Sequence, residues 1–409
     1  MSNVFVLGGA QTDFATHWSR EGKGAFEMMQ AAVTDALASA QVEASAVQVA
    51  HVGNFAGELF SGQGHMGGFV ASLDPAFDGL PTSRHEAACA SGSVATLAAM
   101  TDIESGRYDL ALVVGLEQMR NVPGRAAADH LGAAAWRGRE GQDATFLWPH
   151  MFSRLADEYA DRHGLDYGHL MTIARQAFDN GRRNPMAQTR RWAFTDASFT
   201  DDDEANPPIE GRLRRQDCGQ VTDGAAAVLL ASETFAKRWA SARGRGLDAV
   251  ARIGGWGHRT SSMLLEEKLA RTRGERYVFP HLRGTLEDAW RRAGVSGVDA
   301  VDCMEVHDCF SITQYMITDH LGIAPAGRPG EAIEAGVTAH DGDLPINPSG
   351  GLIGAGHPVG ATGVRMLLDA QRQVTGSAGD TQVPGARVAQ TLNIGGSCTT
   401  TVSFVLTAG

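Results

Sequence analysis

The sequence predicts a layered α/β fold built from two similar halves, with an insert interrupting the first. Three observations carry this. Short apolar runs alternate with apolar residues at helical spacing. The order strand, helix, strand, Gly-rich helix start, strand occurs twice, as a duplication of pattern and not of identity. Between about Leu116 and Asp217 the texture changes to mixed arginine, aspartate and aromatic residues, that of a lid or cap. The predicted segments are 1–117 and 218–247 for the first half, 118–217 for the insert, and 248–409 for the second half.

In the first half, Val4–Leu7 reads as a strand ending at Gly8-Gly9, and Phe26–Ala40 as a helix with Met29, Ala32, Val33, Ala36 and Leu37 on one face. A strand follows near Val47–Val52, then a Gly-rich loop at Gly57–Gly68 leading into a helix, a helix opening at Ser91 and a buried strand at Asp109–Gly115. The insert carries helix patterns at Met151–His163 and Tyr167–Asn180, an acidic run at Asp201–Glu204 and Pro207-Pro208. The sheet texture resumes at Asp223–Ser232. The second half reads as a strand at Ala249–Ile253, a helix at Arg283–Ala293, a strand at Ala300–Val306 and a helix running through Gln371. Val388–Ile394 is its last core strand, with Thr400–Leu406 antiparallel beside it.

Composition narrows the function classes. The chain has 409 residues, 43% hydrophobic and 20% charged, with a net charge of −12 and no long basic block, which argues against nucleic acid as a partner. No apolar stretch reaches the roughly 20 residues of a transmembrane helix, and the N-terminus reads as a strand, so the expectation is a soluble cytoplasmic protein with no membrane partner. The five cysteines (89, 218, 303, 309, 398) are odd in number and lack CxxC spacing. A disulfide framework or zinc site is therefore not expected, and a reducing compartment is.

Four stretches carry chemistry. Cys89 sits among Ala87, Ala88, Ala90, Ser91 and Gly92 at a predicted helix start, where free amides and the helix dipole would lower a thiol pKa toward neutrality. The bland alternative is a buried cysteine acting as a small hydrophobe. Glu305-Val-His-Asp-Cys-Phe-Ser311 ends an apolar strand, where ligands bind in open α/β sheets. Its His307 and Cys309 are two residues apart and so point the same way. In Gly354-Ala-Gly-His-Pro-Val-Gly-Ala-Thr-Gly363 the glycines surround His357, and the spacing is neither a dinucleotide loop nor a phosphate loop. Asn393-Ile-Gly-Gly-Ser-Cys398 offers backbone amides for an oxyanion hole, or is simply a tight turn. The insert's arginines either meet phosphates or form solvated faces.

The ordered set Cys-Ala-Ser-Gly-Ser, Glu-Val-His-Asp-Cys-Phe, Asn-Pro-Ser-Gly-Gly with Gly-His-Pro-Val-Gly-Ala-Thr-Gly, and Asn-Ile-Gly-Gly resembles the thiolase superfamily, most of all its sterol-carrier-protein type. The resemblance covers essentially the whole chain. It implies a duplicated five-layer α-β-α-β-α fold whose inserted lid holds coenzyme A. It also implies an acyltransferase that cleaves 3-oxoacyl-CoA with coenzyme A as cosubstrate, or runs the reverse Claisen condensation. Cys89 is then the acyl-accepting nucleophile, His357 activates it, Cys309 moves the proton, His307 helps hold the enolate oxygen, and Gly395 completes the oxyanion hole with Cys89. Arg182, Arg183, Arg214 and Arg215, with Ser349 and Gly350, are the candidate coenzyme A contacts. No metal and no nucleotide redox cofactor is expected, and a homodimer or homotetramer is. Two alternatives stand beside this: a thiolase-like retro-aldol lyase working with a small OB-fold partner, and a non-catalytic acyl-CoA-binding subunit.

Overall fold

The computed structural model describes residues 3–408; Met1, Ser2 and Gly409, the outermost residues of the first and last predicted segments, lie outside that range. The strands are β1 (Val4–Gln11), β2 (Val49–Gly53), β3 (Thr82–His85), β4 (Leu110–Glu117), β5 (Pro208–Glu210), β6 (Leu213–Arg214), β7 (Gly224–Ser232), β8 (Ala251–Thr260), β9 (Cys303–Val306), β10 (Val388–Gly395) and β11 (Thr400–Thr407). β5 and β6 pair with each other, and the rest form a nine-stranded sheet in the order β3-β2-β4-β7-β1-β8-β11-β10-β9.

The duplication is one of topology. In the first half β1 pairs antiparallel with β7 and β7 antiparallel with β4, while β4, β2 and β3 run parallel. In the second half β8 pairs antiparallel with β11 and β11 antiparallel with β10, while β10 and β9 run parallel. The place of β3 is marked there by one parallel bridge, Met304 to Ile346. The halves join where Val4–Val6 of β1 pairs with Ala251–Ile253 of β8.

Helices complete the layers. The Ala25–Ala40 helix covers β1, β7 and β4 on the outside of the first half, and the Pro280–Ala293 helix covers β8 and β11 on the outside of the second. Between the halves lie the Ser91–Glu104 and Thr362–Val374 helices, the second packing on β1, β4 and β7 from one side and β9, β10 and β11 from the other. Helix, sheet, helix, sheet, helix is the five-layer order. Because both sheet faces are covered, a central strand such as β4 is buried at every residue and reads as a continuous apolar run. The helices Leu147–His163 and Tyr167–Arg183 pack on Ser311–Leu321 in the second half, and their apolar residues share its core.

Several stretches differ from the sequence expectation: Thr82–His85 is a strand, and Gly124–Leu131, Glu233–Ser241 and Leu265–Arg271 are helices, that the sequence reading does not name. The Gly57–Gly68 segment leads into a helix, Met66–Ala71, as expected, but also holds a short helix of its own, Gly57–Ser61. The side chains of Asn54 and Glu117 take up the N–H groups of Phe55, Ala56 and Gly57, which lets a Gly-rich segment wind. The Ser311–Leu321 helix has no counterpart in the sequence reading. All of its residues are buried, so it lacks the polar face that gives a helix its period. Among the described residues, no helix is long and apolar enough to cross a membrane, and all five cysteines are free.

Candidate active site

Five strands that run parallel within their halves deliver residues from their carboxyl ends to one cavity of about 100 Å³. Phe55 follows β2, Cys89 follows β3, Met119 follows β4, His307 and Cys309 follow β9, and Gly396 follows β10. Trp148, Phe152 and Phe310 add aromatic walls, with Phe152 stacked on Phe310 at 4.7 Å between ring centroids.

Cys89 lies on a sharp strand-to-helix turn. Ala88 holds φ +52°, a left-handed conformation that opposes its Cβ, and the turn is tied down by Ser91. The Ser91 hydroxyl donates to the Ala88 carbonyl at 2.6 Å and accepts from the Ala87 amide at 2.9 Å. Ser91 is the first helical residue, as the sequence predicts, and Ala90 is the cap. The expected low thiol pKa is corrected. Burial pushes Cys89 up to about 12, and the Glu117 carboxylate pushes the same way, while the amides of Gly396 and of Cys89 itself pull it down. At rest Cys89 is a neutral thiol, and any nucleophilic use of it would need a base.

His357, in the same cavity, has the features such a base would need. Its Nδ1 lies 2.7 Å from the Thr362 hydroxyl, whose own hydrogen goes to the Pro358 carbonyl at 3.0 Å. Thr362 therefore accepts from Nδ1–H, and the other ring nitrogen carries a lone pair. Burial, aided by the Arg365 charge, lowers His357 to about 3, so the ring is neutral. His307 has the opposite tautomer. Ser93 donates to the Asn393 side-chain oxygen at 2.9 Å, which turns the amide nitrogen of Asn393 toward His307 Nδ1 at 3.1 Å. Nδ1 accepts, so the other nitrogen of His307 carries the hydrogen. Burial, then the His357 and Arg365 charges, holds this imidazole well below its ordinary value. The two rings meet edge to face with centroids 5.2 Å apart.

Cys309 is held from two sides. Its carbonyl accepts from the Gly219 amide at 2.8 Å, and its sulfur is 3.7 Å from the Thr313 hydroxyl. Burial pushes its thiol up, with the neighbouring Cys89 adding to the effect. Asp308, between the two cavity residues, points the other way and accepts from the Leu352 amide at 2.6 Å, tying this strand end to the segment before His357.

The remaining expectations fare differently. The amide facing the Cys89 sulfur is that of Gly396, one residue beyond the expected donor. Gly395 lies behind it, where a Cβ would stand 2.3 Å from the Ala87 carbonyl oxygen. Ser349 and Gly350 are not free to touch a ligand. The buried Ser349 hydroxyl donates to Glu305 at 2.6 Å and accepts from Arg365 at 2.7 Å, and Gly350 packs against the backbone of Gly181. Arg182 pairs with Asp179 at 2.9 Å and Arg214 with Asp203 at 2.7 Å; Arg183 and Arg215 are exposed. None of the four arginines lines the cavity.

Sequence reasoning missed Glu117. It is buried, raised to about 7 by that burial, and accepts from Asn54 at 2.8 Å, Phe55 at 2.9 Å and Ala56 at 3.1 Å. Its signal was a lone carboxylate closing the otherwise apolar run of β4. Also missed was Arg365, fully buried between Glu305 and Asp369 at 2.9 Å each.

Residues 4–191 match the family described as thiolase, N-terminal domain, and residues 269–408 match the thiolase C-terminal domain-like family. An acetyl-CoA acetyltransferase of Methanothermobacter thermautotrophicus is 31% identical over 404 residues, covering 97% of each chain. The chain belongs to the thiolase family. It is thus an acyltransferase of the thiolase type. Rabbit (Oryctolagus cuniculus) sterol carrier protein 2 is 29% identical across 97% of the chain and 70% of that longer protein. Among solved structures the thiolase fold recurs in human mitochondrial 3-ketoacyl-CoA thiolase in complex with CoA, with a TM-score of 0.71, 17% identity, and coverage of 100% of this chain and 98% of that one. It recurs in the Ltp2-ChsH2(DUF35) aldolase with a TM-score of 0.77, 19% identity, and coverage of 99% and 98%.

Proposed function

We propose that the protein cleaves 3-oxoacyl-CoA with coenzyme A, or joins two acyl-CoA molecules in the reverse Claisen condensation, through an acyl-Cys89 intermediate. The observation that carries this is the convergence of Cys89, His307, Cys309 and His357 on one cavity with complementary tautomers. The His357 lone pair takes the Cys89 proton as sulfur attacks the 3-oxo carbon. The amides of Cys89 and Gly396 hold the tetrahedral oxyanion, each donor contributing about 3–4 kcal/mol. When the C2–C3 bond breaks, the electron pair moves to the thioester enolate. Its oxygen then meets two N–H donors, that of His307 and the one His357 has just gained. Cys309 gives its thiol proton to C2. Its thiolate takes the proton of incoming coenzyme A, whose sulfur lifts the acyl group from Cys89; the Cys89 thiolate released takes back its proton from His357. The burial that raises the Cys309 thiol favours the second step, because its thiolate readily takes up the coenzyme A proton, while the strongly basic C2 carbanion accepts the first proton even from a weak acid.

The small cavity and its aromatic walls favour a short acyl group. The exposed Arg183 and Arg215 remain the candidates to meet coenzyme A phosphates. Assembly into a dimer or tetramer, with β3 as the open sheet edge, and a cytoplasmic location suited to free cysteines complete the reading. The test follows the loss of 3-oxoacyl absorbance when acetoacetyl-CoA and coenzyme A are added, with Cys89→Ala as control. Cleavage that needs both Cys89 and free coenzyme A is expected. Release of an aldehyde or ketone from an acyl-CoA side chain, with no need for coenzyme A, would replace the thiolase reading with the lyase.

A further inference from the structure

The same three side chains have a second chemical capacity that the acyl-transfer reading does not use. Cys89, His307 and His357 each offer one ligand atom, and these atoms lie within 4.8 Å of one another. We propose that this triad is a binding site for a soft divalent cation such as Zn²⁺, which blocks the cavity when bound and takes no part in the reaction. A tetrahedral Zn²⁺ with one sulfur and two nitrogen ligands separates them by about 3.4–3.6 Å, so the side chains need close by only about 1 Å. Cys89 and His357 are half-buried and line the open cavity, within reach of an entering ion. On binding, the Cys89 sulfur gives its proton to solvent and its electron pair to the metal. His357 is already in the ligating tautomer, because Thr362 holds the hydrogen on Nδ1.

His307 is not, and this sets the strength of the site. The Asn393 amide nitrogen faces its Nδ1, so the nitrogen in the cavity carries a hydrogen where a metal needs a lone pair. Binding through that nitrogen requires the hydrogen to move to Nδ1 and Asn393 to present its oxygen, which gives up the bond from Ser93. Asn393 therefore acts as a brake on the metal while keeping His307 a hydrogen-bond donor for the reaction. A carboxylate in its place would accept from Nδ1–H, the arrangement that strengthens zinc-bound histidines. Asn393→Asp is expected to bind metal about tenfold tighter or more, and to turn over more slowly.

The experiment titrates metal-free protein with Co²⁺ as a spectroscopic stand-in, then with Zn²⁺ and Mg²⁺ as competitors. One Co²⁺ per chain is expected, with a thiolate-to-cobalt charge-transfer band that Zn²⁺ displaces and Mg²⁺ does not. Cys89→Ser should lose the band, Cys309→Ala should keep it, and wild-type protein alkylated at Cys89 should behave as Cys89→Ser without any change of sequence. Absence of Co²⁺ binding, a band that survives in Cys89→Ser, or affinity unchanged or weakened in Asn393→Asp would each overturn the proposal. These readouts are of metal and not of turnover, so they stand apart from the fate of the thiolase reading.

Discussion

At the residue scale the account turns on how two imidazoles of the same type are made into opposite tools. Thr362 fixes a lone pair on His357, and Asn393 fixes a hydrogen on His307. Replacing Thr362 by valine removes the acceptor for Nδ1–H and frees the ring to tautomerise. The expected outcome is a fall in kcat of about tenfold to a hundredfold with KM little changed, measured by steady-state kinetics. The Ala88 backbone, at φ +52°, supports a second prediction. Ala88→Gly should stabilise the protein by about 1 kcal/mol in urea unfolding, because glycine meets no Cβ clash there. It should lower kcat as well, since the turn that aims Cys89 becomes looser. The four side chains that meet in the cavity could be read from the sequence because motif and strand alternation mark them. The Thr362, Asn393 and Gly396 roles could not, since each depends on which atom faces which after the halves close.

At the scale of the element, the Leu147–His163 helix matters most for the substrate. It places Trp148 and Phe152 over the cavity, against Phe310 of the second half. Phe152→Ala should open that wall and shift the preference toward longer acyl chains, seen as a rise in the ratio of kcat/KM for a longer 3-oxoacyl-CoA over acetoacetyl-CoA; an unchanged ratio would exclude this wall from chain-length selection. Element boundaries in the sequence reading were good where the period was clean. Val388–Ile394 became β10 with one added residue, and the antiparallel partner of that strand was read correctly. The reading failed where burial erased the period, as in Ser311–Leu321, and where side chains from elsewhere capped a Gly-rich segment, as Glu117 does beside Gly57–Ser61.

For the whole molecule, five closely packed layers bury titratable groups on both sides of neutrality, and the pH dependence of stability follows from their balance. His307, His320 and His357 are all held below their ordinary value by burial, so the unfolded chain binds their protons first and stability is lost as pH falls below about 6.5. Glu117 and Glu305 are raised by burial, so the folded chain binds protons first and these groups act in the opposite sense between pH 4.5 and about 7. Asp308, raised by burial to about 6, acts with the two glutamates down to its ordinary 3.8; below that the histidine effect prevails, with each buried ring removing up to about 1.4 kcal/mol per pH unit. Urea midpoints should therefore stay nearly level from pH 7 to about 4 and drop below it; a steady decline from pH 7 would contradict the balance. Duplication, which the sequence showed only as a repeated pattern, is what brings the carboxyl ends of both sets of parallel strands to one cavity. The most direct test of the acyl-Cys89 mechanism is to incubate the Cys309→Ala protein with acetyl-CoA, map the acetyl group by peptide mass spectrometry, and assay cleavage of acetoacetyl-CoA on the same sample. The account predicts acetyl on Cys89 with cleavage abolished. Acetyl on another residue, or full cleavage without Cys309, would contradict it.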